Sequence, residues 1–254
     1  MKRILTTLLT LMLIQSLVAQ KATSDDGDAK DCFESLNRAT FAFNMGLDKA
    51  IFKPVSKGYR MLPSQIRTGT SNALNNLSNL ITVPNNILQG DFRSAANNSV
   101  RFIINTTIGI VGIFDPANSI GFEKSDKEDF GQSLGVMGVG EGCYLVLPVL
   151  GPSTVRDTVG SLVSISGGDA WYNVTVKNDT NYVNESDYYF SKGLSGVDFR
   201  AKNLEAFDAM EKSSIDLYAT VRSLYLQDRK KKINNSNDKT EAMEDGDWDT
   251  LENQ

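Results

Sequence analysis

Residues 129–157 read DFGQSLGVMGVGEGCYLVLPVLGPSTVRD, the most distinctive passage in this chain of 254 residues. Glycines at 131, 135, 138, 140, 142 and 151 frame the apolar run YLVL at 144–147. Glycine at this density favours a tight hairpin or a re-entrant loop over a helix, because glycine weakens helices and admits unusual turns. We therefore predict a hairpin or re-entrant segment over Gly131–Pro152.

Apolar residues recur at helical spacing along much of the remaining chain. The pattern predicts a first helix from Phe33 that Pro54 ends, and a weaker second helix that ends near Pro84. Asp91 is a suitable N-cap for a third helix, and a further helical pattern covers 204–224. These elements predict an all-α domain that carries the glycine-rich segment.

The stretch 102–114 is strongly apolar, but Asn105 and two threonines interrupt it, and Gly109 and Gly112 loosen any helix. As a helix it would reach roughly 20 Å, less than the ~30 Å hydrocarbon core of a bilayer. Two interpretations remain open: a buried core helix, or a segment that lies within one leaflet.

Both ends of the chain differ in composition from the middle. A basic start and a short apolar run predict a secretory signal peptide over 1–19, and the competing interpretation is a membrane anchor. Residues 20–30 are small and polar, as in a flexible tether, and 31–232 form the helical domain. The stretch 233–254 is polar and acidic, which predicts a disordered tail.

Composition argues against several functional classes. The chain has no histidine, which excludes Ser-His-Asp and Cys-His nucleophiles, and its two cysteines are too few for a structural zinc site. The formal net charge of −5 argues against nucleic acid as a partner, since phosphate binding needs clustered Lys and Arg. The one dense basic run, 229–232, could contact acidic headgroups but is more typical of a helix C-terminus.

Three enzyme-like motifs lack the residues that would complete them. DFG at 129–131 has no histidine for a kinase catalytic loop, and GVGEG at 138–142 lacks the lysine of a phosphate-binding loop. The acidic cluster at 123–129 alternates with lysines, which is typical of a solvated loop rather than of a glycosidase pair. We predict no catalytic residues, no metal and no cofactor.

Motifs spread along the chain resemble those of the MlaA/VacJ family of lipoproteins. DCFESLNR at 31–38, followed by FAFN at 41–44, resembles the family's opening signature. The passage at 129–157 resembles its strongest block, and YLQ at 225–227 resembles part of its last helix. The resemblance extends in order from about residue 31 to residue 232.

The resemblance implies an all-helical, ring-shaped protein embedded in the inner leaflet of the outer membrane, on its periplasmic side. In this family an amphipathic central channel removes phospholipids that have strayed to the outer leaflet. A periplasmic carrier then takes the lipid, and a trimeric porin commonly holds the ring. We accordingly expect phospholipid, the outer membrane, a porin and a carrier as partners, and no enzyme activity.

The resemblance also suggests which residues matter. We expect the glycine-rich hairpin to act as gate and channel lining above Arg156 and Asp157, although Arg156 could equally be a buried ion-pair partner. The predicted channel and gate residues are Gly131, Gly135, Gly138, Val139, Gly140, Tyr144, Leu145, Pro148, Gly151, Arg156 and Asp157. The predicted structural residues of the first helix are Asn37, Arg38, Phe41, Phe43 and Asn44.

Two features depart from the family pattern. Gln20 follows Ala19 where most relatives carry an acylated cysteine, so membrane residence would rest on the body of the protein. Cys32 and Cys143 both stand where the family usually has proline. Two cysteines gained together suggest a disulfide in an oxidising compartment, and the alternative is two unrelated buried thiols.

Two other functions remain as alternatives. A soluble periplasmic lipid-binding or scaffolding protein is favoured by the missing acylated cysteine. A phospholipase or acyl hydrolase would need an unusual nucleophile such as Ser153 with a lysine base, and no lysine is close to it in sequence.

Overall fold

The computed structural model describes residues 29–178 and 180–246, with side chains as far as residue 234. The α-helices are α1 Glu34–Leu47, α2 Lys53–Arg60, α3 Ser64–Leu88, α4 Phe92–Thr107, α5 Pro116–Ser119, α6 Phe130–Val136, α7 Val155–Val163, α8 Ala170–Tyr172, α9 Glu185–Lys202, α10 Leu204–Ser213 and α11 Leu217–Gly246. Short π-helical turns, Asp48–Phe52, Ser164–Gly168 and Asn173–Lys177, connect neighbouring helices. The prediction of an all-α domain is confirmed.

The glycine-rich passage contains a short antiparallel hairpin. Its strands are β1 Tyr144–Leu147 and β2 Gly151–Thr154, and Tyr144 lies opposite Thr154. The hairpin is therefore shorter than the predicted segment Gly131–Pro152, because the first residues of that segment belong to α6.

Contacts between the elements run around a closed circuit. α1 packs on β1, while α11 packs on both β2 and α6. α6 packs on α3, α3 on α9, and α9 on α2, which leads back to α1 through the first π-helical turn. The helices thus close on themselves, and the predicted ring-like arrangement is confirmed.

Two prolines lie inside helical structure instead of ending it, so both predicted helix ends are wrong. Pro54 lies just after the π-helical turn Asp48–Phe52, and the helical path from α1 into α2 continues through it. Pro84 lies within α3, which continues to Leu88. The turn after Pro84 is held by packing, since Asn86 is buried and accepts a hydrogen bond of 2.9 Å from Asn98 of α4.

The N-cap prediction for α4 is confirmed, because the Asp91 carboxylate accepts the N–H of Ser94 at 2.9 Å. α4 ends at Thr107, and an irregular turn follows. In that turn Ile110 and Val111 have φ of 53° and 57°, which is rare for β-branched residues, and Ile110 is 60 % exposed. The interpretation of 102–114 as a buried core helix is therefore wrong, and the exposure is what a segment within one leaflet requires.

α11 continues to Gly246, into the stretch 233–254 that composition predicted to be disordered. An existing helix extends without a new nucleation cost, and Lys, Glu and Ala are strong helix formers. Ile233 is buried where α11 meets α6. Residues 247–254, the predicted signal peptide 1–19 and residues 20–28 of the predicted tether lie outside the described part of the chain.

The side chains are distributed in the opposite way from those of a soluble globular protein. Among the described residues, polar and charged side chains outnumber apolar ones in the fully buried set. Large apolar side chains are exposed on α1, α3, α4, α7 and α9, and the most exposed ones elsewhere include Met61, Ile108 and Leu150. Exposed apolar surface on this scale indicates contact with a membrane or a partner.

Within the described residues, no helix combines the length and apolar character that crossing a bilayer requires.

The N-terminal segment 29–32 is fixed beside β1. The N–H of Tyr144 donates to the carbonyl of Lys30 at 2.9 Å, and Arg222 donates to the carbonyl of Ala29 at 2.7 Å. A disulfide joins Cys32 to Cys143 with 5.6 Å between their Cα atoms. The predicted tether therefore ends before Ala29, which is buried.

We predict that the double substitution Cys32→Ser, Cys143→Ser lowers the free energy of unfolding. The bond closes a loop across 111 residues, and the loss expected from chain entropy is about 4 to 5 kcal/mol. Urea unfolding measures it, with the unreduced parent chain as control. An unchanged stability, or an intact mass that does not rise by two protons on reduction, would contradict the disulfide.

Candidate functional site

Two asparagine side chains of α1 bind the outer edge of β1. Asn37 donates to the carbonyl of Tyr144 at 3.0 Å and accepts from the N–H of Val146 at 2.9 Å. Asn44, two helical turns later, donates to the last carbonyl of the strand at 2.9 Å and accepts from the N–H of Val149 at 2.7 Å. An amide side chain carries a donor and an acceptor side by side, so α1 takes the place of a third strand.

We predict that Asn37→Leu lowers the free energy of unfolding by about 2 to 4 kcal/mol, because a buried carbonyl and a buried N–H lose their partner. Chemical denaturation measures this loss. Thr40→Val on the same helix is the control, since the Thr40 hydroxyl bonds only the carbonyl of Leu36 in its own helix. Equal stability of the two variants would show that the asparagine contacts contribute nothing.

The other predicted residues of α1 differ in their surroundings. Arg38 pairs with Asp216 at 2.8 Å and lies 4.4 Å above the ring of Tyr218, which ties α1 to the start of α11. Phe41 packs edge-on against the same ring, at 5.6 Å between ring centres. Phe43 is 55 % exposed, so the prediction that it packs α1 against the ring is wrong. Residues two apart on a helix point in roughly opposite directions, and only one of them can face the core.

Gly131 and Gly135 belong to α6 and not to the hairpin. A Cβ on Gly160 of α7 would lie 2.3 Å from the backbone nitrogen of Gly131, so α6 and α7 approach more closely than side chains allow. A Cβ on Gly135 would lie 2.5 Å from the side chain of Ile233. The prediction that these two glycines form part of a hairpin gate is wrong, since close helix packing accounts for both.

Gly138, Val139 and Gly140 lie in the loop that joins α6 to β1. A Cβ on Gly138 or Gly140 would meet no neighbouring atom, and Gly138 has φ of 85°, which favours glycine. The carbonyl of Val139 accepts a weak hydrogen bond of 3.4 Å from Arg156. The two glycines thus have free space around them, while Val139 between them is held by Arg156.

The turn of the hairpin, Pro148–Gly151, is apolar and faces the surroundings, with Leu150 76 % exposed. Leu145 on β1 is half-buried. Tyr144 is fully buried in the small apolar core, and burial raises its pKa to about 12. Tyr144 therefore packs the hairpin from within, and its prediction as channel lining is wrong.

A buried cluster of charges lies beneath the hairpin. Arg229 of α11 pairs with Asp129 at 2.6 Å and with Asp157 at 2.7 Å. Asp157 also accepts from Arg156 at 3.1 Å and from the hydroxyl of Tyr225 at 2.6 Å. Burial alone would raise the pKa of Asp157, but the charge of Arg229 and the bond from Tyr225 lower it below its ordinary value. Arg156 and Asp157, which were predicted to fix the base of the hairpin, thus belong to one ion-pair network.

We predict that Asp157→Asn lowers the free energy of unfolding by about 3 to 5 kcal/mol at pH 7, because a buried arginine loses its partner. The lowered pKa means that the carboxylate stabilises the fold above its ordinary pKa of about 3.9 and loses this effect as the pH falls through the lowered value. The difference between parent and variant should therefore shrink below about pH 4.

Urea unfolding at pH 7 and at low pH measures this difference, and Asp228→Asn on the exposed side of α11 is the matched control. A difference that stays constant with pH would contradict the assignment.

Lysines from two segments lie within electrostatic range of one another. Lys127 precedes α6, while Lys192 and Lys202 lie on α9. The Lys127 side chain is exposed to solvent, yet desolvation by the surrounding protein and the nearby charge of Lys202 lower its pKa. Lys127 lines a polar cavity that is open to solvent, and the lysines lie at this opening. Lys202 pairs with Asp198 at 2.8 Å. The three lysines therefore keep a net positive charge, although a carboxylate partly neutralises it.

The polar cavity that Lys127 lines has a volume of about 130 Å³. Its walls come from α3, α4 and the segment 115–127, and they include Asn72, Asn76, Arg101 and Asp115. Among the described residues no cluster of His, Cys, Asp or Glu could hold a metal ion. The side chains that line the cavity are amides, hydroxyls, lysines, an arginine and carboxylates.

The family model for the MlaA lipoprotein matches residues 29–232. The chain belongs to the MlaA lipoprotein family. The matched range coincides closely with the domain predicted over 31–232 and with the part of the chain in which the helices close on themselves.

Three MlaA-like proteins illustrate the similarity. A protein of Rickettsia bellii without an assigned function is 34% identical over 205 residues, 80% of this chain and 76% of that one. The intermembrane phospholipid transport system lipoprotein MlaA of Haemophilus influenzae is 30% identical over 236 residues, 92% of this chain and 91% of that protein. A solved structure, described as the structural basis for maintenance of bacterial outer membrane lipid asymmetry, matches with a TM-score of 0.69 at 29% identity. It covers 80% of this chain and 99% of that one.

Sequence reasoning missed several residues of this MlaA-family site. The sequence places Arg229 in a basic run that is typical of a helix C-terminus, yet its side chain is buried and binds two carboxylates. The asparagines of α3 and the lysines around the opening were not singled out at all. An available signal was the composition of 64–88, a helix rich in asparagine whose polar residues recur where a soluble core would need leucine.

Proposed function

We propose that this chain removes mislocalised phospholipids from the outer leaflet of the outer membrane and passes them toward a periplasmic carrier. The observation that carries the proposal is the inverted side-chain distribution, with apolar residues outside and polar residues inside a closed circuit of helices. Such a body is stable within a leaflet, while its polar interior offers headgroups a path that the hydrocarbon denies them. The names of the relatives support the same function.

The lysines around the opening fit the anionic part of the cargo. A phosphate binds most strongly to charged donors, and Lys127, Lys192 and Lys202 supply three ammonium groups. The neighbouring carboxylates, Asp169 and Asp198, pair with two of them and moderate their strength. A transported headgroup must enter and leave again, so moderated binding suits a channel better than tight binding.

The exposed turn Pro148–Gly151 is the part of the hairpin best placed to act as the gate. It is apolar, it follows a strand that α1 holds firmly, and a cavity of about 320 Å³ lies beneath it, lined in part by Leu147, Leu150 and Arg229. Movement of the turn into this cavity would change access and release the N–H of Val149 from Asn44, while the Asn37 bonds to Tyr144 and Val146 would still hold the strand. The charge cluster of Arg156 and Asp157 would serve as the fixed base of that movement.

The proposed setting is the periplasmic side of the outer membrane, with a trimeric porin holding the ring and a soluble carrier receiving the lipid. Transport down a gradient needs no catalytic group, so the proposal includes no enzyme activity. The Ser153 hydroxyl bonds the carbonyl of Thr154 and the hydroxyl of Thr158, and neither group can serve as a general base.

Cell-surface phospholipid in a strain with and without this gene tests the function. Deletion should raise the phospholipid that an added phospholipase can reach, and the intact gene should reverse the rise. An unchanged surface, together with release of the protein in a carbonate wash, would favour a soluble periplasmic scaffold instead.

We predict that Lys127→Glu fails to restore the surface in that strain, with a transport rate about tenfold lower, because a charge-assisted contact to phosphate is lost and reversed. Lys57→Glu, at an exposed position on α2, is the matched control and should restore the surface fully. Equal behaviour of the two variants at equal protein levels would count against the lysine opening as the lipid path.

A further inference from the structure

The polar cavity between α3, α4 and the segment 115–127 contains groups of both signs. Lys124 and Lys127 supply ammonium donors, and Asp126 supplies a carboxylate that makes no ion pair in the described part of the chain. Arg101 and Asp115 also line the cavity, where one guanidinium nitrogen of Arg101 donates to both oxygens of Asp115 at 2.9 and 3.0 Å. Lys124 pairs with the same carboxylate at 3.2 Å, so one carboxylate faces two cations. The charge left for a ligand is therefore positive at the lysines and negative at Asp126.

One buried acceptor in the wall of this cavity has no partner. Asn76 is 3 % exposed, and its Nδ2 donates to the hydroxyl of Thr106 at 2.8 Å, which fixes the amide. Its Oδ1 accepts no hydrogen bond within the described residues. An unsatisfied buried acceptor is unfavourable, and a donor that arrives in the cavity would relieve that penalty.

An apolar groove continues from the polar cavity. The groove has a volume of about 840 Å³, and it shares Asn72 and Asp115 with the cavity. Ile66, Phe114 and Leu194 line it farther out. Polar and apolar spaces that meet at shared residues match one amphiphile, whose headgroup occupies the first and whose acyl chain occupies the second.

We propose that this cavity and groove form a binding site for a phospholipid with a primary-ammonium headgroup, such as phosphatidylethanolamine. The lysines meet the phosphate, while Asn76 Oδ1 and Asp126 accept the N–H groups of the ammonium. A quaternary ammonium has no N–H to donate and is recognised by aromatic rings, and none of the described residues that line the cavity is aromatic. This inference rests on the proposed function, which it deepens by assigning a headgroup.

Competition between two lipids tests the site. The purified full chain is incubated in mixed micelles with equal amounts of phosphatidylethanolamine and phosphatidylcholine that carry identical acyl chains. Mass spectrometry of the bound lipid should show the ethanolamine lipid enriched about fivefold or more, as expected for one added hydrogen bond to a charged group.

Asp126→Asn should reduce this enrichment to about twofold or less. Glu123→Gln is the matched control: it changes the same charge three residues away, outside the cavity lining, and should keep the enrichment.

The outcomes distinguish the headgroup assignment from the proposed transport function. Equal binding of both lipids would overturn the headgroup assignment and leave transport intact, whereas no bound lipid at all would overturn both. Equal losses in Asp126→Asn and Glu123→Gln would show a general charge effect and overturn the site. Displacement of bound lipid by equimolar glycerophosphoethanolamine would show that the groove contributes nothing and overturn the two-part site.

Discussion

The bonds between the asparagines of α1 and the edge of β1 join the first helix of the domain to the hairpin in its middle. The hairpin has only two strands, and such a hairpin is marginal in water without a further partner. Asn37 and Asn44 supply that partner across more than a hundred residues of sequence. With β1 fixed to α1, strand β2 can pack on α11, and α11 can pack on α6. The closed circuit of helices depends on this joint, which the disulfide at Cys32 reinforces.

A closed circuit permits a polar interior, which most folds of this size avoid. Burying polar groups is costly unless they find partners. In this fold the buried polar side chains bind one another. Arg229 binds two carboxylates, and Asn98 forms hydrogen bonds with both Asn86 and Ser125. The apolar side chains that would normally form a core face outward instead. The fold is therefore suited to surroundings that are themselves apolar.

The sequence predicted the class of fold, the N-cap at Asp91 and the presence of a hairpin, because helical spacing and glycine density are local signals. It also identified Asn37 and Asn44, but only through resemblance, since nothing local shows that an asparagine bonds a strand a hundred residues away. The wrong predictions also concern contacts between residues that are far apart in the sequence. Gly131 is a helix-packing residue because Gly160 lies against it, and Arg229 is buried because Asp129 and Asp157 meet it. Phe43 and Pro84 were misjudged because tertiary packing decides which helix face is buried and where a helix ends.

In the proposed setting the polar residues face an aqueous interior while the apolar residues face lipid. Labelling of single cysteines with a membrane-impermeant thiol reagent, in membranes that contain the full chain, tests this arrangement. Cys32 and Cys143 are bonded to each other and leave a silent background. We expect rapid labelling of cysteines at Lys127 and Asn75, and protection of cysteines at Ile110 and Phe92. Equal labelling at all four positions, or protection of the inner pair, would contradict it.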